Sequence, residues 1–247
     1  MPLHKILKPI HNFDLLRVGK KNDGGYLVGK SSLEKSKFLI SLGLNLDWSF
    51  EKDFLLKNKQ HIIAQCYDDV LDKNFLIKDL VNKFILSLYK MQTRHFFKSL
   101  INYLDFIKMN KLIEFNKKKI FYNDLNKVLK KLPGNIFLKI DIDGGEYRIL
   151  NDILHNQKKI LGLVIEFHDH DLHKEIIKKF IKSLKLTLVH IHANNFAPLD
   201  LNGDPTVFEL TFDRHPIKLN NKNVQLPNKF DMPNKHDGKN IKLNFNS

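Results

Sequence analysis

The 247-residue sequence predicts an α/β protein: a doubly wound, Rossmann-like, mostly parallel sheet with a helical insertion. Three observations predict it. Short apolar runs recur along the chain, and those before residue 170 are nearly continuous, as strands covered on both faces require. Helical patterns lie between them. Each run ends in glycine or in clustered acids, histidines and asparagines, the chemistry that an open α/β sheet gathers at its strand carboxyl ends.

The strands are expected at 37–44 ("KFLISLGL"), 61–68 ("HIIAQCYD"), 135–142 ("NIFLKIDI"), 161–168 ("LGLVIEFH"), 186–193 ("LTLVHIHA") and 206–212 ("TVFELTF"). Helical spacing over 49–58 puts Phe50, Phe54 and Leu55 on one side, and 145–156 is a second helical pattern. In "LHKEIIKKFIKSL" (172–184), Leu172, Ile176, Ile177, Phe180, Ile181 and Leu184 follow the helical period, with lysines opposite. Residues 73–110 break the alternation. Long, aromatic and lysine-rich, they predict an inserted helical hairpin, with Phe96 and Phe97 in its core, that covers the site or builds a homodimer contact. The tail from 214 to 247 is rich in Asn, Lys and Pro and predicts irregular structure. The whole chain, 1–247, reads as one domain.

The net charge is +14, which raises nucleic acid as a partner. Lysines scattered among asparagines, with only Arg17, Arg94 and Arg148 before residue 200, do not make an arginine-forked phosphate reader. An anionic small substrate such as a sugar nucleotide fits better. No apolar run is long enough to span a membrane, and "MPLHKILKPIHNFD" does not pattern as a signal peptide. The single cysteine, Cys66, suits a reducing compartment, so a cytoplasmic location is expected.

The strand ends carry the functional reading. Gly43, Asn45 and Asp47 follow the first strand and lead into a helix near Ser49. Asp68 closes the second, 25 residues after Gly43, where nucleoside-binding folds grip ribose hydroxyls. Asp141, Asp143, Gly144, Gly145 and Glu146 follow the third; Glu166, His168 and Asp169 end the fourth; His190, His192, Asn194 and Asn195 end the fifth. One glycine in "SLGLNLD" suits a nucleoside bearing an amino acid better than a diphosphate, which points to S-adenosylmethionine (SAM).

Taken together, "SLGLNLDWSFEKDF", "CYDD", "FLKIDIDGGEYRIL" and "LVIEFHD" resemble the FkbM-type branch of class I SAM-dependent methyltransferases. The upstream "RVGKKNDGGYLV" is similar to a segment of one subgroup, which includes O-methyltransferases of Campylobacter capsule clusters that act on nucleotide-linked heptoses. The resemblance covers roughly 15–70 and 120–212. It implies the class I methyltransferase fold, with Gly43 and its neighbours Asn45 and Ser49 along the methionine part of SAM. It also implies Asp68 on the ribose, Asn123 and Asp124 by the adenine, and Asp141 facing the cofactor amino group. Leu44 and Leu46 depart from the pattern, standing where more usual SAM loops carry glycine.

The implied reaction is methylation of a sugar hydroxyl, such as that of a GDP-heptose. His168 is the first candidate base and His192 the second, with Asp143 able to orient a base or act in its place. Glu166, Asp169 and Asn194 are expected to bind substrate. His170 and His173, at the start of an amphipathic helix, are expected in solvent. The acids and histidines also have metal-ligand chemistry, but their pattern is not diagnostic; no metal ligand is assigned and a divalent ion is not the favoured reading. The alternatives are an RNA or protein methyltransferase and a non-catalytic SAM-fold partner subunit.

Overall fold

A computed structural model describes residues 3–90, 93–219 and 224–245. An N-terminal antiparallel hairpin, β1 (Leu15–Gly19) and β2 (Gly25–Gly29), leads through α1 (Lys30–Lys35) into β3 (Phe38–Leu42). Then come α2 (Ser49–Lys57), β4 (Ile63–Asp68), α3 (Lys73–Lys90), α4 (Thr93–Met109), β5 (Ile113–Lys117), α5 (Asp124–Lys130) and β6 (Ile136–Ile140). The chain continues through α6 (Leu150–Asn156), β7 (Ile160–Phe167), α7 (His170–Ser183), β8 (Thr187–Ala193) and β9 (Phe208–Asp213).

Seven strands form one sheet in the order β5-β4-β3-β6-β7-β9-β8. Neighbours from β5 to β7 are parallel, and β9 runs antiparallel to both β7 and β8. This is the doubly wound, mostly parallel architecture expected. Successive residues of the central strands enter opposite cores. Ile40, Leu138 and Ile165 face the core shared with α5, α6 and α7, whereas Leu39, Phe137 and Val164 face the one shared with α2 and α4. That two-sided burial is why these strands read as unbroken apolar runs.

Two features were not legible. The strand β5, "IEFNK", is a short edge strand of mixed burial, too polar to announce itself. The β1–β2 hairpin packs on the sheet near β7, β8 and β9, where Thr211 Oγ1 donates to the Leu27 carbonyl.

Other expectations need correction. In α7, Ile177 and Phe180 are buried, but Leu172 and Ile176 are exposed; the helix is kinked at His173, so its first turn, with Leu172, leaves the common face. Phe97 is 56% exposed rather than part of a core in the α3–α4 hairpin. The described part of the tail is irregular yet packed, with Asp231 and Asn234 buried.

Candidate active site

The strand order reverses direction of travel between β3 and β6, and the crevice at their carboxyl ends is the place where such sheets bind ligands. A cleft of about 270 Å³ opens there. Leu42, Gly43 and Asn45 from the β3 end, Tyr67 to Val70 from the β4 end, Lys118 to Ile120, and Asp141 to Asp143 with Gly145 and Arg148 line it.

Gly43 is required by close approach. Its φ is +77°, and a Cβ there would sit 1.6 Å from the Asp141 carbonyl oxygen. The buried Lys139 amine donates to the Gly43 carbonyl and lies 3.5 Å from Asp141 Oδ2, so one cation ties the two loops together. Burial alone would lower the Lys139 pKa, but Asp141, Glu51 and Glu166 raise it.

Asp68 lies on the cleft wall, but its carboxylate is already engaged. Oδ2 accepts the backbone N–H of Leu44 and Asn45, both at 2.9 Å, and Oδ1 accepts those of Val70 and Leu71 at 2.9 and 2.7 Å. Burial would raise its pKa; these four donors outweigh that and lower it. In this arrangement Asp68 clamps the two loops together. The neighbouring Asp69, paired with Lys119 at 3.0 Å, presents a half-exposed carboxylate to the same cleft.

The turn "DIDGGE" is organised by Glu146. Its fully buried Oε1 accepts the N–H groups of Ile142 and Gly144, each at 3.2 Å, and lies 3.0 Å from His168 Nδ1. Glu146 thus acts chiefly as an internal anchor rather than as a surface acid at a helix start. Asp143, in the left-handed region at φ +48°, holds its carboxylate out with 80% side-chain exposure. His168 Nε2 lies 3.7 Å from Asp143 Oδ1 and 4.0 Å from Glu166 Oε1. Burial would lower the His168 pKa; the hydrogen bond and charge of Glu146, with Glu166 and Asp141, raise it to about 9.

Behind this pair lies a buried polar layer. Tyr26, from the N-terminal hairpin, reaches both Asp141 and Glu166, and Asn194 Nδ2 donates to Glu166 Oε1 at 2.7 Å. Burial, then the charges of Asp141 and Glu209, push the Glu166 carboxyl up to about 8. Glu166 and Asn194 are therefore mutual partners inside the protein rather than open substrate contacts.

The structure brings Gly43, Asn45, Asp68, Asp141 and Asp143 to the cleft, with His168 one contact behind. Other predicted residues lie elsewhere. His192 is buried, its Nδ1 3.3 Å from Glu209 and its Nε2 3.2 Å from Asn240 of the tail, so neither nitrogen faces the cleft. Asn123 bonds to Asn126 in its own helix, and Asp124 accepts the Phe121 N–H and pairs with Lys118; neither lines the cleft. The Ser49 hydroxyl is buried without a partner beside Asp47 and Gly24, also outside the cleft. Asp169 is exposed at the start of α7. His170, expected in solvent, is buried edge-on against Phe208, and burial, aided by Lys174, lowers its pKa to about 4. His173 stacks on Tyr147.

Sequence reasoning missed the structural roles of Tyr26 and Lys139. Tyr26 sat in a segment that resembled the subgroup; nothing local marked Lys139 beyond a lysine inside an apolar strand. Asp141, Asp143 and His168 each offer one ligand atom, all within 4.8 Å of one another, so this corner has the donors to accept a divalent ion.

No protein-family model matches the chain, and the comparison with curated proteins finds no match. Among solved structures, it is similar to an rRNA methylase from Streptococcus thermophilus, with 11% identity and a TM-score of 0.41 over 76% of this chain and 92% of that one. It is similar also to a precorrin-6y C5,15-methyltransferase from Geobacter metallireducens, with 10% identity and a TM-score of 0.42 over 75% and 85% of the two chains. TrmK of M. capricolum, in complex with S-adenosylhomocysteine, shares 13% identity and a TM-score of 0.36 over 78% and 70%.

Proposed function

We propose that the chain is a SAM-dependent O-methyltransferase acting on a sugar hydroxyl, with a nucleotide-linked sugar such as a GDP-heptose as substrate. The observation that carries this reading is His168, anchored through Nδ1 by buried Glu146 and pointing Nε2 toward Asp143 at the lip of the β3–β6 cleft. A histidine fixed on one nitrogen and open on the other is arranged to take a proton from a hydroxyl.

The donor set of the cleft fits SAM. Leu42, Val70, Ile120 and Ile142 offer apolar walls to a ring, Asp69 and Asn45 offer partners for ribose hydroxyls, and the Asp141 carboxylate suits an amino group. Bound there, SAM would supply an electrophilic methyl group. On the rim, Lys118 and Lys119 are paired with Asp124 and Asp69, so Arg148, which makes no ion pair among the described residues, is the cation offered to a diphosphate. His168 Nε2 would accept the proton of the substrate hydroxyl, and Glu146 would stabilise the imidazolium that forms. Asp143 orients the hydroxyl, since its carboxylate is exposed beside Nε2.

Mass spectrometry of the purified protein with SAM and a panel of nucleotide sugars tests the proposal. A mass gain of one methyl group on a sugar supports it. Methylation of RNA or protein in place of every sugar would keep the cofactor and replace the substrate. Binding of SAM without turnover would point to a partner subunit.

A further inference from the structure

The α3–α4 hairpin presents a surface that water does not favour. Along α3, Ile77, Val81, Phe84 and Leu88 recur at helical spacing and all are exposed; on α4, Phe97 and Ile101 are 56% and 64% exposed. The hairpin is anchored through its base, where Leu76, Phe106 and Met109 are buried. An apolar stripe of this length on two adjacent helices marks a partner surface.

Charge decides which partner. Both carboxylates of the hairpin are used internally: Asp79 accepts the Ser99 hydroxyl, and Asp105 accepts the Trp48 indole N–H and pairs with Lys52. Among the described residues, Lys78, Lys83, Arg94 and Lys98 make no ion pair, so the unpaired charge flanking the stripe is positive. A second copy would bring these cations face to face. A nucleic acid would satisfy the lysines but leave the aliphatic stripe in water. An anionic bilayer satisfies both, apolar side chains entering the headgroup boundary while lysines meet lipid phosphates. No helix of the described residues is long and apolar enough to cross a membrane, which is consistent with a hairpin lying on the surface.

We propose that the α3–α4 hairpin docks the protein peripherally on an anionic lipid surface. The inference is independent of the chemistry of the cleft.

Co-sedimentation of the full chain with vesicles of phosphatidylglycerol and phosphatidylcholine in equal parts tests it. Binding is expected to the mixed vesicles, not to phosphatidylcholine alone, and should weaken as salt is raised. The exposed-site variants Phe97→Glu with Ile101→Glu, and separately Lys83→Glu with Lys98→Glu, should each cut binding by about tenfold or more. Leu56→Glu, equally exposed but outside the hairpin, should bind as the parent does. Three results would overturn the proposal: no preference for the anionic vesicles, equal loss with Leu56→Glu, or light scattering showing a dimer that Phe97→Glu with Ile101→Glu converts to monomer. Capture of a single-stranded RNA probe without vesicle binding would overturn it as well.

Discussion

The Tyr26 hydroxyl lies 2.9 Å from Asp141 Oδ2 and 3.1 Å from Glu166 Oε2, so one phenol proton faces two carboxylate oxygens. It can serve only one of them. A proton shared between the carboxyls would relieve the crowding, and the buried Glu166, raised to about 8 by burial and by the charges of Asp141 and Glu209, is the group disposed to take it up.

Glu166 should therefore titrate above neutrality, which carbonyl-region infrared spectroscopy against a Glu166→Gln control will read. In the Tyr26→Phe variant, loss of the hydroxyl leaves both carboxyls without their shared partner and should destabilise the fold by roughly 1–3 kcal/mol. An unchanged denaturation midpoint would show that the chain of three oxygens contributes nothing.

For His168, substitution by Ala should lower turnover by about 10²–10⁴-fold while SAM binding survives. Because Glu146 helps raise the His168 pKa to about 9, activity should rise with pH on the alkaline side of neutrality. Glu146→Gln removes a charge that favours the imidazolium, so NMR titration of the His168 ring should shift toward acid. Chelation is expected to leave turnover intact; its loss on chelation, restored by a divalent ion, would assign Asp141, Asp143 and His168 to a metal instead.

Asp68 and Asp69 should separate in their effects. Asp68→Ala deprives four backbone N–H groups of their acceptor and is expected to cost roughly 1–3 kcal/mol of stability, weakening SAM binding through the disordered loops. The Asp68 pKa is depressed, so its stabilisation is present above the unfolded value of about 3.9 and is lost as pH falls further. Asp69→Ala should leave the melting temperature unchanged and weaken SAM in calorimetry.

Tail packing should depend on His192. Burial would lower its pKa, but Glu209, with Asp231 and Asn240, raises it to about 9. A histidine raised above its unfolded value, about 6.5, contributes stability that is full below that pH and fades as pH rises to about 9. The difference in melting temperature between the parent and His192→Gln should shrink across that window. Hydrogen exchange at Asn240 should quicken over the same range.

How much of this was legible depended on range. Local periodicity determined the sheet: two-sided apolar runs at β3, β6 and β7 leave a strand with nowhere to go but the middle of a doubly wound core. The clustering of Gly43, Asp141, Asp143 and His168 at strand ends was likewise readable, because a parallel sheet brings all its carboxyl ends to one edge. What each polar side chain meets there was decided only by the tertiary structure. Tyr26 finds Glu166 across 140 residues of chain, His192 finds Asn240 across 48, and Asp68 finds the backbone of two loops. The period of a strand assigns a side chain to a face, but hydrogen bonds at this distance in sequence form only where packing has already set the partners within about 3 Å.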